Sequence, residues 1–223
     1  MPAPATTGQL RTNIVDMKIG DYILWNWVDY DSWQINVDNG NSESPIGGVT
    51  GMSGYYWYGI KVAKGLLVAD RVVLHSQSWD WLNSKKWIEG KYSNLLDENN
   101  TIVKNGYIRS LTGGCACADE NGNMSLTDKG YGGFPTNNEW DKYIVNFPSK
   151  LIADGATLDE VFHWSGIVTL CQETPVNGWL GTDVRNKHRI GRGYDSSLSI
   201  HGQLSNEIFS SRGFRPVFQY KEN

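Results

Sequence analysis

Two polar loops near the C-terminus carry the residue types best suited to ligand recognition. They span residues 174 to 186 and 192 to 212 and combine aromatic and charged side chains with many Ser, Gly and Asn residues. Rigid aromatic rings provide contact area at low entropic cost, and small polar groups provide adaptable hydrogen bonds. We expect these loops to bind a ligand, although simple solvated loops can have the same composition. The predicted ligand-binding residues are Trp179, Asp183, Arg185, Tyr194, His201 and Asn206.

The histidine and serine residues do not form a recognisable catalytic pattern. The chain has four histidines and many serines, but none lies in a nucleophile elbow or another local catalytic signature. We expect His163, beside Trp164, to be a packed side chain, and His188 and His201 to be exposed. The sequence therefore predicts a protein that is not an enzyme and has no catalytic residues.

The three cysteines also favour a structural role. Cys115 and Cys117 are separated by one residue, which is too close for an easy mutual disulfide, and Cys171 stands alone. Small buried hydrophobic side chains in a reducing compartment are the simplest interpretation.

One segment contains oxygen ligands at alternate positions, as at the start of a calcium loop. Gly122 is out of register with that motif, and Gly130 occupies the place of the closing Glu. We therefore predict an Asn-Gly hairpin turn here, with no metal site and no cofactor, while calcium bound elsewhere is left open. The four oxygen-bearing residues are Asp119, Asn121, Asn123 and Asp128.

Length and charge limit the classes of partner. A chain of 223 residues with 39% hydrophobic residues can bury a core, and we expect one domain over residues 1–223. The net charge of -4, with scattered Lys and Arg, gives no support for nucleic-acid binding. No apolar run approaches the roughly 18 residues of a membrane span. The N-terminal residues lack the features of a signal peptide, so we expect synthesis in the cytoplasm without membrane insertion.

Residues 132 to 147 predict a helix with marked ends. Thr136 and Glu139 have the spacing of a capping box, and Pro148 prevents continuation. One face of this helix is apolar and should be buried: Trp140, Tyr143, Ile144 and Phe147. The opposite face is polar: Asn137, Asn138, Asp141 and Lys142.

Other elements alternate irregularly along the chain. We expect a short helix over residues 7 to 17, a strand over 21 to 28, a hairpin around Gly65, and a helix over 79 to 87 that begins at Ser76 or Ser78. This order predicts an α+β fold.

Aromatic residues are unusually dense, with ten Trp and eleven Tyr. Trp25, Trp27, Trp33 and residues 55 to 58 are too crowded for the core face of one strand, so alternation should turn about half of them outwards. Outward-facing aromatic side chains suit a partner chain or a sugar.

Four short motifs occur in order in the C-terminal half: Pro135-Thr136-x-x-Glu139-Trp140, His163-Trp164, Arg192-Gly193 and Gly213-Phe214-Arg215-Pro216-Val217. Together they resemble motifs of the C-type-lectin-like fold, in the branch of formylglycine-generating enzymes and variable proteins, over residues 130 to 220. The resemblance implies small twisted antiparallel sheets with two or three helices and long irregular loops. It also implies that the segment before Gly213 is a ligand face. The paired cysteines of the formylglycine branch are absent between residues 191 and 213, so their oxidation chemistry is not expected.

Three further segments resemble virion-associated proteins of phages and prophages of Gram-positive bacteria: ATTGQLRTNIVDMKIGDYI, GLLVADRVVLHSQSWDWLNS and GFRPVFQY. This resemblance implies a tail-associated virion protein that binds a bacterial cell-surface glycan or protein. The alternative is a structural subunit of the capsid or tail that contacts other virion proteins or itself and has no ligand of its own.

Overall fold

Short β-strands account for most of the regular structure. The computed structural model describes residues 3–38, 40–116, 118–119, 121, 132–175 and 187–222. In chain order the strands are β1 (Leu10–Arg11), β2 (Tyr22–Trp27), β3 (Ser32–Ile35), β4 (Ser42–Glu43), β5 (Tyr55–Ala63), β6 (Leu66–Ala69), β7 (Leu74–His75), β8 (Lys91–Leu96), β9 (Ile102–Arg109), β10 (Val168–Leu170), β11 (His188–Gly193), β12 (Ile200–Leu204), β13 (Arg212–Phe214) and β14 (Val217–Tyr220). The α-helices are α1 (Trp79–Ser84) and α2 (Leu158–Phe162), with a π-helix at Asp141–Val145 and 3-10 turns at Ile14–Asp16 and Ser149–Leu151.

Seven of the strands close into a barrel. Neighbouring strands pair in the order β2-β3-β8-β9-β14-β6-β5, and β5 pairs again with β2. Strand β1 pairs in parallel with β2, and β4 pairs in parallel with β5. Closure leaves the seven strands without a free edge, which removes a common route to aggregation.

Tryptophan side chains fill the barrel interior. Trp25, Trp33 and Trp57 are completely buried, and their ring centroids lie 5.5 to 6.0 Å apart. The pleat turns Tyr56 and Tyr58, the neighbours of Trp57, to the other side, where both are half-buried. The aromatic density of these strands therefore reflects a core that is enclosed by the sheet, together with partly covered tyrosines outside it.

A second sheet lies beside the barrel, with the order β12-β11-β10-β13-β7. The described chain crosses between the barrel and this sheet four times: between β6 and β7, β7 and β8, β9 and β10, and β13 and β14. The first and the last of these crossings carry buried charge. Arg71 donates to Asp70 at 2.6 Å and to Glu43 at 2.8 Å, and Arg215 donates to the carbonyl oxygen of Ala69 at 3.0 Å.

The π-helix and α2 cover the outer face of the barrel at β5, β6 and β14. Trp140, Ile144 and Phe147 are buried there against Ile60 and Val68, as the spacing of the apolar residues predicts. Trp140 also joins the sequence motifs in space, because the guanidinium carbons of Arg192 and Arg215 lie 5.8 and 5.7 Å from its ring centroid. The helix is therefore a scaffold for the junction between the two sheets.

The prediction of an α+β, C-type-lectin-like fold is wrong. The structure is mostly β, and its helices are single short turns, with six residues in α1 and five each in α2 and the π-helix. The strands bury their apolar face by closing on themselves through the pairing of β2 with β5, so no long helix is needed to cover a small open sheet.

Two local predictions are also wrong. Residues 7 to 17 form β1 and one 3-10 turn in place of a helix, with Leu10 54% exposed. At the π-helix, Asn138 accepts a hydrogen bond from the Asp141 amide at 2.9 Å, whereas Glu139 forms an ion pair with Arg109. The cap therefore lies two residues beyond the expected Thr136.

Local turn and cap signals are confirmed elsewhere. β5 and β6 form the hairpin around Gly65, where the backbone has a φ of 67°. Helix α1 begins at Ser78, whose hydroxyl accepts from the Trp81 amide at 3.1 Å. No helix in the described ranges is long and apolar enough to cross a membrane.

Truncation of a barrel tryptophan tests this core. Trp57→Ala should lower the free energy of unfolding by about 3–5 kcal/mol, because the side chain is completely buried and leaves a cavity. Tyr92→Ala, at a position 57% exposed, should cost less than about 1 kcal/mol. Guanidinium-induced unfolding measures both values, and equal losses would contradict the barrel core.

Candidate functional site

One pocket gathers residues from the predicted ligand-binding loops. It lies beside the β11–β12 hairpin and the segment that precedes β13, and its volume is about 310 Å³. Its walls combine two aromatic rings, an imidazole, a carboxylate, a guanidinium and a hydroxyl. The lining residues are Val168, Tyr194, Asp195, His201, Phe209, Ser211 and Arg212. We refer to these residues as the hairpin pocket.

The hairpin sets the position of Tyr194. β11 and β12 pair from His188–Leu204 to Arg192–Ile200, and Tyr194 follows directly with a φ of 84°. This left-handed conformation costs a non-glycine residue about 1–2 kcal/mol. Two backbone hydrogen bonds hold this conformation. The Tyr194 amide donates to the Trp164 carbonyl oxygen, and the Tyr194 carbonyl oxygen accepts from the Gly166 amide. The ring is 40% exposed and lies edge-on to His201, with the centroids 6.0 Å apart.

Burial of His201 favours the neutral form of its imidazole. Its Nε2 lies 2.9 Å from the Gly193 carbonyl oxygen, and since a carbonyl only accepts, Nε2 carries the proton. Burial lowers the pKa of His201, the bond to Gly193 opposes this effect, and the positive charge of Arg212 lowers the pKa further. The carboxylate of Asp195, which is 71% exposed, lies 4.0 Å from Nε2.

Arg212 provides a partly buried cation on the opposite wall. Its guanidinium carbon lies 4.5 Å from the ring centroid of Phe209, and one nitrogen donates to Gln203 Oε1 at 3.0 Å. Burial lowers the pKa of this guanidinium, and nearby Glu207 opposes the effect. The hairpin pocket can therefore offer hydrogen-bond donors, an acceptor and two aromatic surfaces to one polar ligand.

The predicted ligand-binding residues do not all meet. Tyr194 and His201 share the hairpin pocket, whereas Asn206 lines a separate pocket of about 360 Å³ with Asp80, Lys187, Leu204 and Ser205. The other predicted positions lie outside the described residues: Trp179, Asp183 and Arg185.

Sequence reasoning missed three important members of the hairpin pocket: Asp195, Phe209 and Arg212. Phe209 is a single aromatic residue in a Ser-rich segment, and Arg212 follows it three residues later. A short apolar pair, Ile208 and Phe209, within a polar loop is a usable sequence signal. Asp195 has no comparable signal, because a lone carboxylate is common in surface loops.

The described residues offer little for catalysis. Cys115 and Cys171 are buried, and burial raises the pKa of the Cys171 thiol well above its ordinary value. His163 is packed, as expected, and burial lowers its pKa. His188 and His201 are half-buried, so the expected exposure is only partial.

A serine hydroxyl and a histidine ring do meet at one place, where Ser76 Oγ lies 2.8 Å from Nδ1 of the adjacent His75. No carboxylate pairs with His75 in the described chain to complete a triad.

In the described ranges, no group of three or more His, Cys, Asp or Glu residues is placed to hold a metal ion. Two of the four residues of the calcium-like segment, Asn123 and Asp128, lie outside those ranges.

Comparisons of this chain with protein-family models, with curated proteins and with solved structures found no match.

The titration of His201 tests the electrostatics of the hairpin pocket. We expect its pKa to lie below the ordinary value of about 6.5 because of burial, and to rise in Arg212→Met, which removes a nearby positive charge. NMR titration of the imidazole signals measures both pKa values, and His201→Gln assigns the resonance. The folded state binds this proton more weakly than the unfolded chain, so His201 should destabilise the fold only as the pH falls below about 6.5. An unchanged pKa in Arg212→Met would contradict this arrangement.

Proposed function

We propose that this chain is a non-enzymatic binding protein that recognises a cell-surface glycan through the hairpin pocket. The observation that carries the proposal is the placement of Tyr194 and Phe209 beside Arg212, Asp195 and His201 in one pocket. The C–H face of a sugar ring stacks on aromatic side chains, and its hydroxyl groups need donors and acceptors in fixed positions. These residues provide both kinds of contact.

Support for this proposal comes from the hairpin pocket and not from a lectin-like fold. The ligand face implied by the lectin resemblance has no basis in a barrel fold. The chemistry of the hairpin pocket is independent of that resemblance, because it rests on the contacts of Tyr194, His201 and Arg212.

We place this binding activity in a tail-associated virion protein of a phage or prophage of Gram-positive bacteria. The support is the resemblance of the opening segment, residues 65 to 84 and the final strand segment to such proteins. The ligand would then be a glycan or protein on the bacterial cell surface, and other virion proteins would be partners.

A structural virion subunit is the second candidate, and one surface favours it. Tyr92 and Tyr107 lie opposite each other on β8 and β9, are 57% and 50% exposed, and have ring centroids 5.6 Å apart. Exposed aromatic pairs on a barrel wall can form contacts with another chain. Neither tyrosine of this surface lines the hairpin pocket.

Two matched Tyr→Ala variants separate these functions. Tyr194→Ala should reduce saturable binding of the purified protein to isolated Gram-positive cell walls by at least about tenfold, because it removes an aromatic anchor. Tyr107→Ala, at a similarly exposed position, should leave that binding unchanged. A labelled-protein pull-down measures binding, and thermal unfolding confirms that both variants are folded.

The opposite pattern would favour the structural subunit. In that case wild-type protein would not bind the walls, light scattering would detect a large assembly, and Tyr107→Ala would dissociate it. Equal wall binding by wild type and Tyr194→Ala would contradict the hairpin pocket as the glycan site.

A further inference from the structure

Another pocket lies at one end of the barrel, where β2 ends and β5 begins. Its volume is about 260 Å³, and α1 and the loop before β5 contribute to its walls. Its lining includes four aromatic and three neutral polar side chains: Trp27, Tyr30, Trp81, Trp87, Thr50, Ser53 and Gln77. We refer to these residues as the barrel-end pocket, which shares none of its lining with the hairpin pocket.

Four aromatic rings form a continuous wall of the barrel-end pocket. The centroid of Tyr30 lies 5.9 Å from that of Trp27 and 5.7 Å from that of Trp87. Trp81 lies 5.9 Å from Trp87 in an edge-to-face arrangement. Such a wall suits the apolar face of one ring-shaped ligand.

The ammonium group of Lys85 lies over two rings of this wall, next to the residues that line the pocket. Lys85 Nζ is 4.8 Å from the ring centroid of Tyr30 and 5.4 Å from that of Trp81. Within the described residues Lys85 has no carboxylate partner, whereas Lys91, which also approaches Tyr30, pairs with Asp31 at 2.8 Å. Lys85 is therefore available to an anionic group of a ligand, and it disfavours a cationic ligand in the aromatic wall.

The rest of the lining provides neutral polar groups. Thr50, Ser53 and Gln77 carry hydroxyl and amide groups that suit the hydroxyls of a ligand. The indole N–H groups of Trp27 and Trp87 are buried and have no acceptor in the described part of the chain. Because these N–H groups have no accessible surface, the polar contacts to a ligand come from the hydroxyl and amide groups.

We propose that the barrel-end pocket binds one acidic sugar ring, a hexuronate unit. The volume lies just below the roughly 300–1,000 Å³ of pockets that take drug-sized ligands, which fits a single ring. The ring stacks on the aromatic wall, its carboxylate pairs with Lys85, and its hydroxyls meet Thr50, Ser53 and Gln77. This site is separate from the proposed glycan contact of the hairpin pocket and does not depend on it.

Binding of methyl glucuronide to the full chain tests the proposal. Titration monitored by tryptophan fluorescence at fixed ionic strength should show saturable binding, since three tryptophans line the pocket. Lys85→Gln should weaken the affinity at least tenfold by removing the ion pair. Lys86→Gln changes the net charge equally at the adjacent exposed lysine and should leave the affinity unchanged. Methyl glucoside, which lacks the carboxylate, should bind at least tenfold more weakly.

Three results would overturn the proposal: no saturable response of the wild-type protein, equal affinity in Lys85→Gln and wild type, or tighter binding of benzoate than of the glucuronide. The last result would assign the site to aromatic acids. Tyr194→Ala should bind methyl glucuronide like the wild type, which separates this site from the hairpin pocket.

Discussion

The pairing of β2 with β5 closes the barrel, and the rest of the structure depends on that closure. Five residue pairs, from Tyr22–Ile60 to Asn26–Tyr56, join the two strands. The pairing requires space for a large interior side chain, which Gly59 provides. A Cβ atom at this position would lie 3.1 Å from Cε3 of Trp25 and would press on the ring. A closed ring of strands then encloses the tryptophans and leaves its ends as the natural places for pockets.

The buried charges at the first and last crossings between the sheets have a different role from the aromatic core. Arg215 also donates to Thr169 Oγ1 at 3.1 Å, and burial lowers its pKa to about 10, so it remains charged at neutral pH. Buried ion pairs often add little net stability, because desolvation offsets their attraction. Their directional bonds do fix geometry. Here they fix how the second sheet, and with it the hairpin pocket, lies against the barrel.

Short sequence patterns were sufficient to predict the elements that depend on contacts between neighbouring residues. The hairpin at Gly65 and the cap at Ser78 depend on neighbouring residues, and the buried face of Trp140 follows from helical spacing. The polar face of that helix was harder to predict, because Asp141 is buried by its 2.6 Å ion pair with Arg192, 51 residues away. The barrel was not predictable for the same reason, since strand pairing across the whole chain has no short sequence signal.

The candidate site shows the same limit. Composition identified Tyr194 and His201, which lie on one hairpin and come together through local pairing. It did not identify Arg212, which enters the same pocket only because β13 pairs with β10 and so returns to the second sheet. The lectin-like motifs also meet in space at Trp140, and yet they belong to a different architecture. Motif residues that come together in space therefore identify a fold less reliably than the order of the strands around them.

The position of β14 also has a consequence for how the chain folds. This strand pairs with β9 on one side and β6 on the other, with Val217 opposite both Arg109 and Val68. Contacts that join such distant parts of a chain raise the contact order and slow folding, because loop-closure entropy is lost before they form. During synthesis the ring of strands stays open between β9 and β6 until residues 217–220 leave the ribosome. The aromatic interior is not fully enclosed before that point, and until then the chain is open to aggregation.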